Sequence, residues 1–208
     1  QDWFDQSGVS FTSVSVSSSS EATDKFRSGE CDAFTGDMSA LVAKKWALDN
    51  DGSMNGVDIW IAEELLSKEP LAAATRDYDS DWNEIVSWVW WGMITAEEMG
   101  VTSANYASMA SDACAANDWG GTSNPGMCRL LTENLGLGTT DNPLAGNWMQ
   151  NVLDAVGNYG EAYDRSFCDG SYDGVSGSDA MTGCLISRTG TANALVSEGG
   201  LQFAPSMR

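Results

Sequence analysis

The chain has 208 residues, 42% of them hydrophobic, which is enough to bury one substantial core or two small lobes. Its net charge of −20 repels phosphate groups, so nucleic acids and anionic membranes are unfavourable partners. The sequence contains no histidine, which excludes the usual Ser-His and Cys-His catalytic dyads and most zinc sites.

The first part of the chain alternates runs of β-branched or apolar residues with short helical patterns. We predict strands over residues 9–16, 31–35, 57–62 and 70–75, and helices over residues 21–28 and 38–48. This alternation of strands and helices predicts an α/β fold, with a mostly parallel sheet and flanking helices.

The pattern of apolar residues changes after Asp77, where helical spacing replaces the alternation of predicted strands and helices. Apolar residues between Trp82 and Ile94 recur at helical intervals and predict a long helix over residues 80–99, which Gly100 is placed to end. A second helix is predicted over 147–165, and the Gly- and Ser-rich remainder is predicted to be irregular. We therefore expect an α/β fold over residues 1–76 and a mainly helical one over 77–208.

The five cysteines indicate disulfides. Cys114 and Cys128 lie in one loop-rich stretch, and Cys168 and Cys184 lie in another. Because cysteines in loops are poorly buried without a partner, we predict that each of these two pairs is bonded, with Cys31 reduced and buried in a strand. Two disulfides indicate an oxidising compartment, and the alternative is five free buried thiols. No Cys-x-x-Cys motif is present, so no zinc ribbon is predicted.

Asp37 is the candidate binding residue. It follows a predicted strand and opens a predicted helix, which places its carboxylate at the carboxyl edge of the predicted sheet, where ligands of open α/β folds bind. A carboxylate there can accept charge-assisted hydrogen bonds from an ammonium group. The alternative is that Asp37 only caps the helix, and the residues alone favour that interpretation.

Other polar and aromatic clusters have simpler explanations. The stretches that begin at Asp51 and Asp169 have the oxygen spacing of a calcium loop. Alanine occupies the twelfth position of both, where a calcium loop needs a bidentate glutamate. The tryptophans around Trp90 predict burial by another element or a partner rather than an aromatic cage. We predict no metal, no cofactor, no catalytic residues and no enzymatic activity.

Six segments of the sequence occur in a characteristic order. They are FRSGECDAFTGDMSAL (26–41), LLSKEPL (65–71), WNEIVSW (82–88), AEEMGVTSAN (96–105), VGNYGE (156–161) and GGLQFAPSMR (199–208). Together they resemble the periplasmic general L-amino-acid-binding proteins of ABC importers, known as solute-binding protein family 3. The combination is specific, although no single segment would be.

The resemblance implies a two-lobed clamp that closes on a polar amino acid in the periplasm, or in another extracytoplasmic or lumenal oxidising compartment. The family aspartate that holds the ligand's α-ammonium group maps onto Asp37, and the candidate site includes the neighbouring Thr35 and Ser39. Residues 1–76 would form most of the second lobe, and residues 77–208 the helical C-terminal part of the first lobe. The implied partners are a free amino acid and a membrane permease.

The chain also departs from the family pattern. The family's first lobe, with the arginine that holds the ligand carboxylate, is expected before Gln1, so the chain would lack the family's N-terminal part. The cysteine-bearing insert near 113–121 and the segment 188–196 are unlike the family as well. An alternative function is therefore a truncated binding-protein scaffold, reused without ligand binding as a structural subunit of a larger lumenal or membrane-associated assembly.

Overall fold

A computed structural model describes residues 2–62, 64–68 and 70–206 of the chain. The chain divides into two compact units, Gln1–Ala72 and Ala73–Arg208, which we call the first and the second unit. The described residues form eight α-helices and two 3-10 helices. Three of the α-helices lie in the first unit and five in the second.

The helices of the first unit are α1 (Asp2–Ser7), α2 (Ser19–Arg27) and α3 (Met38–Asn50). Ser18 caps α2, since its side chain accepts a hydrogen bond from the N–H of Glu21 at 3.1 Å. Arg27, in the last turn of α2, donates to Ser53 at 3.0 Å and to Asp51 at 3.1 Å. These contacts tie α2 to the loop after α3. The helices predicted over 21–28 and 38–48 are confirmed, with small shifts at their ends.

The first unit contains no β-sheet among its described residues, so the predicted α/β fold with a mostly parallel sheet is wrong. The described part of the chain forms isolated bridges at Ala116–Thr122, Gly138–Pro143 and Leu195–Gln202, and none of the four predicted strands. A strand requires backbone hydrogen bonds to a neighbouring strand, and the segments 9–16, 31–35, 57–62 and 70–75 have no such bonds to described residues.

The exposure of residues 9–16 gives the physical reason for the failed prediction. Each residue of this run is exposed. β-Branched residues favour strands because their side chains pack on a half-buried pleated surface, and the preference depends on that context. Without a surface to pack on, the β-branched composition of the run does not produce a strand.

The second unit is helical. Its helices are α4 (Ser80–Glu98), α5 (Tyr106–Cys114), α6 (Pro125–Thr132), α7 (Trp148–Val156) and α8 (Tyr159–Phe167). They pack around an apolar cluster whose fully buried members include Ile94 in α4, Leu130 in α6 and Leu153 in α7. Removing side chains of this size from water stabilises the fold by about 1.5–3 kcal/mol each, so this cluster is the main core of the unit.

The longest described helix, α4, confirms the prediction for residues 80–99. The side chain of Asp79 begins it by accepting the N–H of Trp82 at 3.1 Å, and Gly100 follows it with a φ of 68°, which favours glycine. Its C-terminal half is buried over 92–97, whereas Trp82 and Trp90 in its N-terminal half stay about half exposed. Among the described residues, no helix is long and apolar enough to cross a membrane.

The single helix predicted over 147–165 is divided into α7 and α8. Gly157 ends α7 with a φ of 71°, and a Cβ there would lie 2.5 Å from Oε2 of Glu161. Asn158 then begins α8 through a capping box. Its side chain accepts the N–H of Glu161 at 3.0 Å, and the Glu161 carboxylate accepts the N–H of Asn158 at 2.8 Å. The Asn158 amide also donates to the carbonyl oxygens of Val101 and Gly174, so this buried residue fixes the break.

The residues after α8 are irregular, as the sequence predicts. The part of this stretch that the structure describes forms the 3-10 helices Ser178–Ala180 and Val196–Glu198. It enters the core nevertheless, since Ala194 is fully buried and Leu195 is 6% exposed. Backbone hydrogen bonds within the stretch, such as those from the N–H of Leu201 to Ala192 and from the N–H of Gln202 to Ala194, and side-chain contacts hold it in place.

Two disulfides lie in the second unit. They join Cys114 to Cys128 and Cys168 to Cys184, the two pairs that the sequence predicts. Cys31 is free, but it is only partly buried and lies in no strand, so the environment predicted for it is wrong. By restricting the unfolded chain, each disulfide of this loop length stabilises the fold by roughly 3 kcal/mol.

We predict that thiol titration of the denatured, unreduced protein finds one free sulfhydryl, that of Cys31. The other four cysteines are bonded and cannot react before a reductant is added. The matched control is the Cys31→Ser variant, which should show no reactive thiol before reduction. A count of five before reduction would contradict both disulfides and the oxidising compartment.

Candidate functional site

Asp37 occupies the position immediately before α3. Its backbone is extended, with a φ of −59° and a ψ of 139°, and its carbonyl oxygen accepts the first helical hydrogen bond from the N–H of Leu41 at 2.9 Å. Its side chain makes no capping hydrogen bond with the first turn. The capping role that the residues alone favour for the Asp37 carboxylate is therefore not what the structure shows.

The Asp37 carboxylate is exposed and has no hydrogen bond or ion pair with any described residue. Thr35, two residues earlier, is also exposed, and Ser39 is partly buried in the first turn of α3. The three predicted site residues thus lie in one short segment, and their proximity follows from the chain itself. Among the described residues, no basic side chain forms an ion pair with Asp37.

The position of Asp37 suits a contact with a cation. Its carboxylate lies in solvent and has no partner among the described residues. Such a carboxylate can accept charge-assisted hydrogen bonds from an ammonium group, with a net contribution of about 1.5–3 kcal/mol. One contact of this strength does not hold a free amino acid, because association itself costs at least about 4 kcal/mol.

Neither of two surface cavities among the described residues includes Asp37, Thr35 or Ser39. One lies in the second unit and is lined by Ser176, Gly177, Ser178, Asp179, Thr189 and Glu198. The other lies along α2 in the first unit and is lined by serines and charged residues between positions 17 and 30. Pockets for small molecules are usually lined by apolar and aromatic side chains, so neither cavity has the composition of a ligand pocket.

The two stretches with the spacing of calcium loops use their carboxylates in turns. Asp51 accepts the N–H of Ser53 at 2.7 Å, and Asp169 accepts both the N–H of Ser171 at 3.0 Å and its hydroxyl at 2.6 Å. Within the described part of the chain, no group of three or more acidic or cysteine side chains could hold a metal ion. Turn formation explains both stretches.

Arg188 and Glu97 form a buried ion pair in the second unit. Both Nη atoms of Arg188 donate to the Glu97 carboxylate, with Nη2 at 2.9 Å from Oε2, and the Nε atom donates to the carbonyl oxygen of Asn193 at 2.9 Å. The two side chains are 0% and 3% exposed. The guanidinium group also lies 4.6 Å from the ring centroid of Tyr159. Arg188 therefore joins the irregular C-terminal stretch to α4 and α8.

This pair cannot serve as the site for a ligand carboxylate, because Glu97 already occupies both Nη atoms of Arg188. Burial raises the pKa of Glu97, and the hydrogen bonds and charge of Arg188 oppose that rise. Burial also raises the pKa of Tyr159 to about 12, so its hydroxyl stays neutral. The cluster holds parts of the fold together, and Arg188 does not replace the ligand-binding arginine of the resembling family.

Comparison with known proteins gives matches along the full chain, although no protein-family model matches it. The chain is 31% identical over 207 residues to the glutamate/glutamine/aspartate/asparagine-binding protein BztA of Rhodobacter capsulatus. It is 32% identical over 208 residues to the general L-amino acid-binding periplasmic protein AapJ of Rhizobium johnstonii. Each match covers 100% of this chain and 53% of the relative.

A solved structure agrees with these matches. It is an ABC transporter periplasmic binding protein from Brucella ovis with glutathione bound, which superimposes with a TM-score of 0.73 at 30% identity. The superposition covers 100% of this chain and 56% of that one. The chain is a homologue of the periplasmic amino-acid-binding proteins of ABC importers. The resemblance found in the sequence is thereby confirmed.

The chain spans about half the length of each protein that it matches. The relatives are named as binding proteins and not as enzymes, in agreement with the prediction that the chain is not an enzyme. The two disulfides fit an oxidising, extracytoplasmic compartment.

Sequence reasoning missed the pairing of Arg188 with Glu97 and the role of Asn158. The spacing of Asn158 and Glu161, directly after Gly157, is a recognisable signal for a helix start. No local signal links Arg188 to Glu97, which precedes it by 91 residues. Only the folded chain shows that these two charges meet.

We predict that Arg188→Met lowers the free energy of unfolding by about 3–5 kcal/mol, because it leaves the Glu97 carboxylate buried without its partner. Urea unfolding followed by circular dichroism measures the change. The double variant Arg188→Met, Glu97→Gln should recover a large part of the loss, since it removes the unpaired charge. Arg76→Met is the control at an exposed arginine of the same unit. Equal losses in the single and double variants would contradict the prediction.

Proposed function

We propose that the chain is part of an extracytoplasmic solute-binding protein that delivers polar amino acids to an ABC importer, with Asp37 holding the α-ammonium group of the ligand. The observation that carries the proposal is the unpaired, exposed carboxylate at the start of α3, in a chain that matches amino-acid-binding proteins from end to end. Thr35 and Ser39 would supply further hydrogen bonds beside it.

The ligands of the relatives support an ammonium contact at Asp37. BztA is named for glutamate, glutamine, aspartate and asparagine, AapJ for L-amino acids in general, and the Brucella protein holds glutathione. All of these molecules carry an α-ammonium group beside a carboxylate, whereas their remaining atoms differ. A single aspartate can therefore serve the whole set, and other contacts have to select among the ligands.

The rest of the pocket has to come from a second surface. Asp37 offers one contact, and the ligand carboxylate needs a cation that the described residues do not place beside Asp37. We propose that residues 1–76 and 77–208 contribute to the two lobes of a clamp, which is completed by polypeptide equivalent to the unmatched half of the relatives. The half-exposed Trp82 and Trp90 on α4 support further packing on the second unit, since exposed apolar patches mark interaction surfaces.

We predict that the 208-residue chain alone shows no heat of binding above background when glutamate, glutamine, aspartate or asparagine is titrated into it by calorimetry. Asp37 supplies too little free energy to offset the ordering cost of association, and the net charge of −20 repels the ligand carboxylate. Tight binding by this chain alone would show that its pocket is built from other residues.

Binding should appear when the chain is joined to the remaining part of the protein, as calorimetry with the same amino acids would show. Asp37→Asn should then abolish binding, because the amide keeps the shape of the side chain and removes its charge. Asp32→Asn, at another exposed aspartate of the same segment, is the matched control and should bind normally. If the completed protein binds none of these amino acids, a structural subunit without ligand binding becomes the better assignment.

A further inference from the structure

Trp119 is the most exposed tryptophan among the described residues, with 94% of its surface in contact with solvent. It lies in the connection between α5 and α6, residues 115–124, which we call the Trp119 loop. This loop overlaps the segment that the sequence analysis finds unlike the resembling family, and the proposed amino-acid binding gives it no role. At this exposure the indole ring adds almost nothing to the packing of the fold.

The Trp119 loop is held in one shape by its own bonds. The N–H of Asn117 donates to the carbonyl oxygen of Gly121 at 2.6 Å, and the Asn117 side chain accepts the N–H groups of Trp119 and Gly121 at 3.0 and 2.9 Å. The disulfide between Cys114 and Cys128 joins the helices on either side. The loop is therefore ordered by covalent and polar bonds that leave its large apolar side chain in water.

We propose that the Trp119 loop is a docking surface for a protein partner that offers an apolar pocket bordered by Lys or Arg side chains. A tryptophan on a preordered loop loses little conformational freedom on binding, and burial of its ring removes a large apolar area from water. Tryptophan is enriched among the residues that dominate interface energies for these reasons.

The charge of the sequence around Trp119 favours a partner with basic side chains. The sequence contains no Lys or Arg between Arg76 and Arg129, and the loop carries the exposed Asp118 directly before Trp119. A basic rim on the partner complements this surface and accelerates encounter. An anionic membrane would be repelled by the net charge of −20, and so would a second copy of the chain.

The partner class follows from the proposed function, on which this inference rests. A binding protein that delivers amino acids to an ABC importer has to dock on the membrane permease of that importer. The Trp119 loop lies in the second unit and Asp37 in the first, so the docking residue and the ligand residue can be changed independently. Loss of docking and loss of ligand binding are therefore separable in an experiment.

The test uses the complete binding protein and its permease with the ATPase subunits, reconstituted in liposomes, and measures ATP hydrolysis against the concentration of binding protein. Trp119→Ser should raise the half-saturating concentration by about 10-fold or more. Trp119→Phe should stay within about 3-fold of the unchanged protein, since a smaller ring still enters the pocket. Asp118→Asn should weaken the salt dependence of docking. Trp60→Ser, at another highly exposed tryptophan, is the control and should change nothing.

Two further measurements separate the outcomes. Calorimetry with glutamate should give the same affinity for all of these variants. If the complete protein binds no amino acid, the proposed function itself is contradicted. If the protein binds glutamate but Trp119→Ser stimulates hydrolysis as Trp60→Ser does, docking through the Trp119 loop is overturned while the proposed function stands. Binding through Trp119 to liposomes without permease, whether zwitterionic or anionic, would overturn the protein partner in favour of a lipid surface. Absence of any stimulation would overturn the permease as partner.

Discussion

The buried ion pair between Arg188 and Glu97 joins the irregular C-terminal stretch of the second unit to α4. The C-terminal stretch has no long helix, and Arg188 is one of its few fully buried residues. A charge at this depth has to be paired, since an uncompensated one costs several kcal/mol. Glu97 and the carbonyl oxygen of Asn193 satisfy the guanidinium group, and Tyr159 covers it. The helices can then bury their apolar faces around a neutral centre.

Asp37 shows the opposite arrangement of charge. It lies in water at the start of a helix, without a partner among the described residues. A ligand that meets only this residue gains little, and it is retained only when a second surface closes on it. In the proposed function, the single contact at Asp37 is too weak for tight binding, so tight binding requires closure of the clamp. The loaded protein would then differ in shape from the empty one.

The sequence predicted the parts of the fold that depend on local interactions. Helices α2, α3 and α4 follow from spacing and caps within a few residues, and the two disulfides join cysteines 14 and 16 residues apart. The strands were not predictable in this way, because a strand exists only if a distant segment pairs with it. Residues 9–16 have the right composition and no such partner among the described residues.

The candidate site was predictable only in part. Asp37 was singled out from its place between a predicted strand, which the structure does not contain, and a helix, and the resemblance added its ligand role. Its lack of a cap bond could be seen only in the folded chain. The break between α7 and α8 was missed although its signal is local, since the helical spacing across Gly157 was given more weight than the Asn158 cap. The pairing of Arg188 with Glu97 has no local signal at all.

The 91 residues between Glu97 and Arg188 also set an order of events during synthesis. A ribosome adds about 5–20 residues each second, so Glu97 exists for several seconds before Arg188 is made. Until then the Glu97 carboxylate has no guanidinium partner, so the buried position that it takes in the folded unit would leave its charge uncompensated.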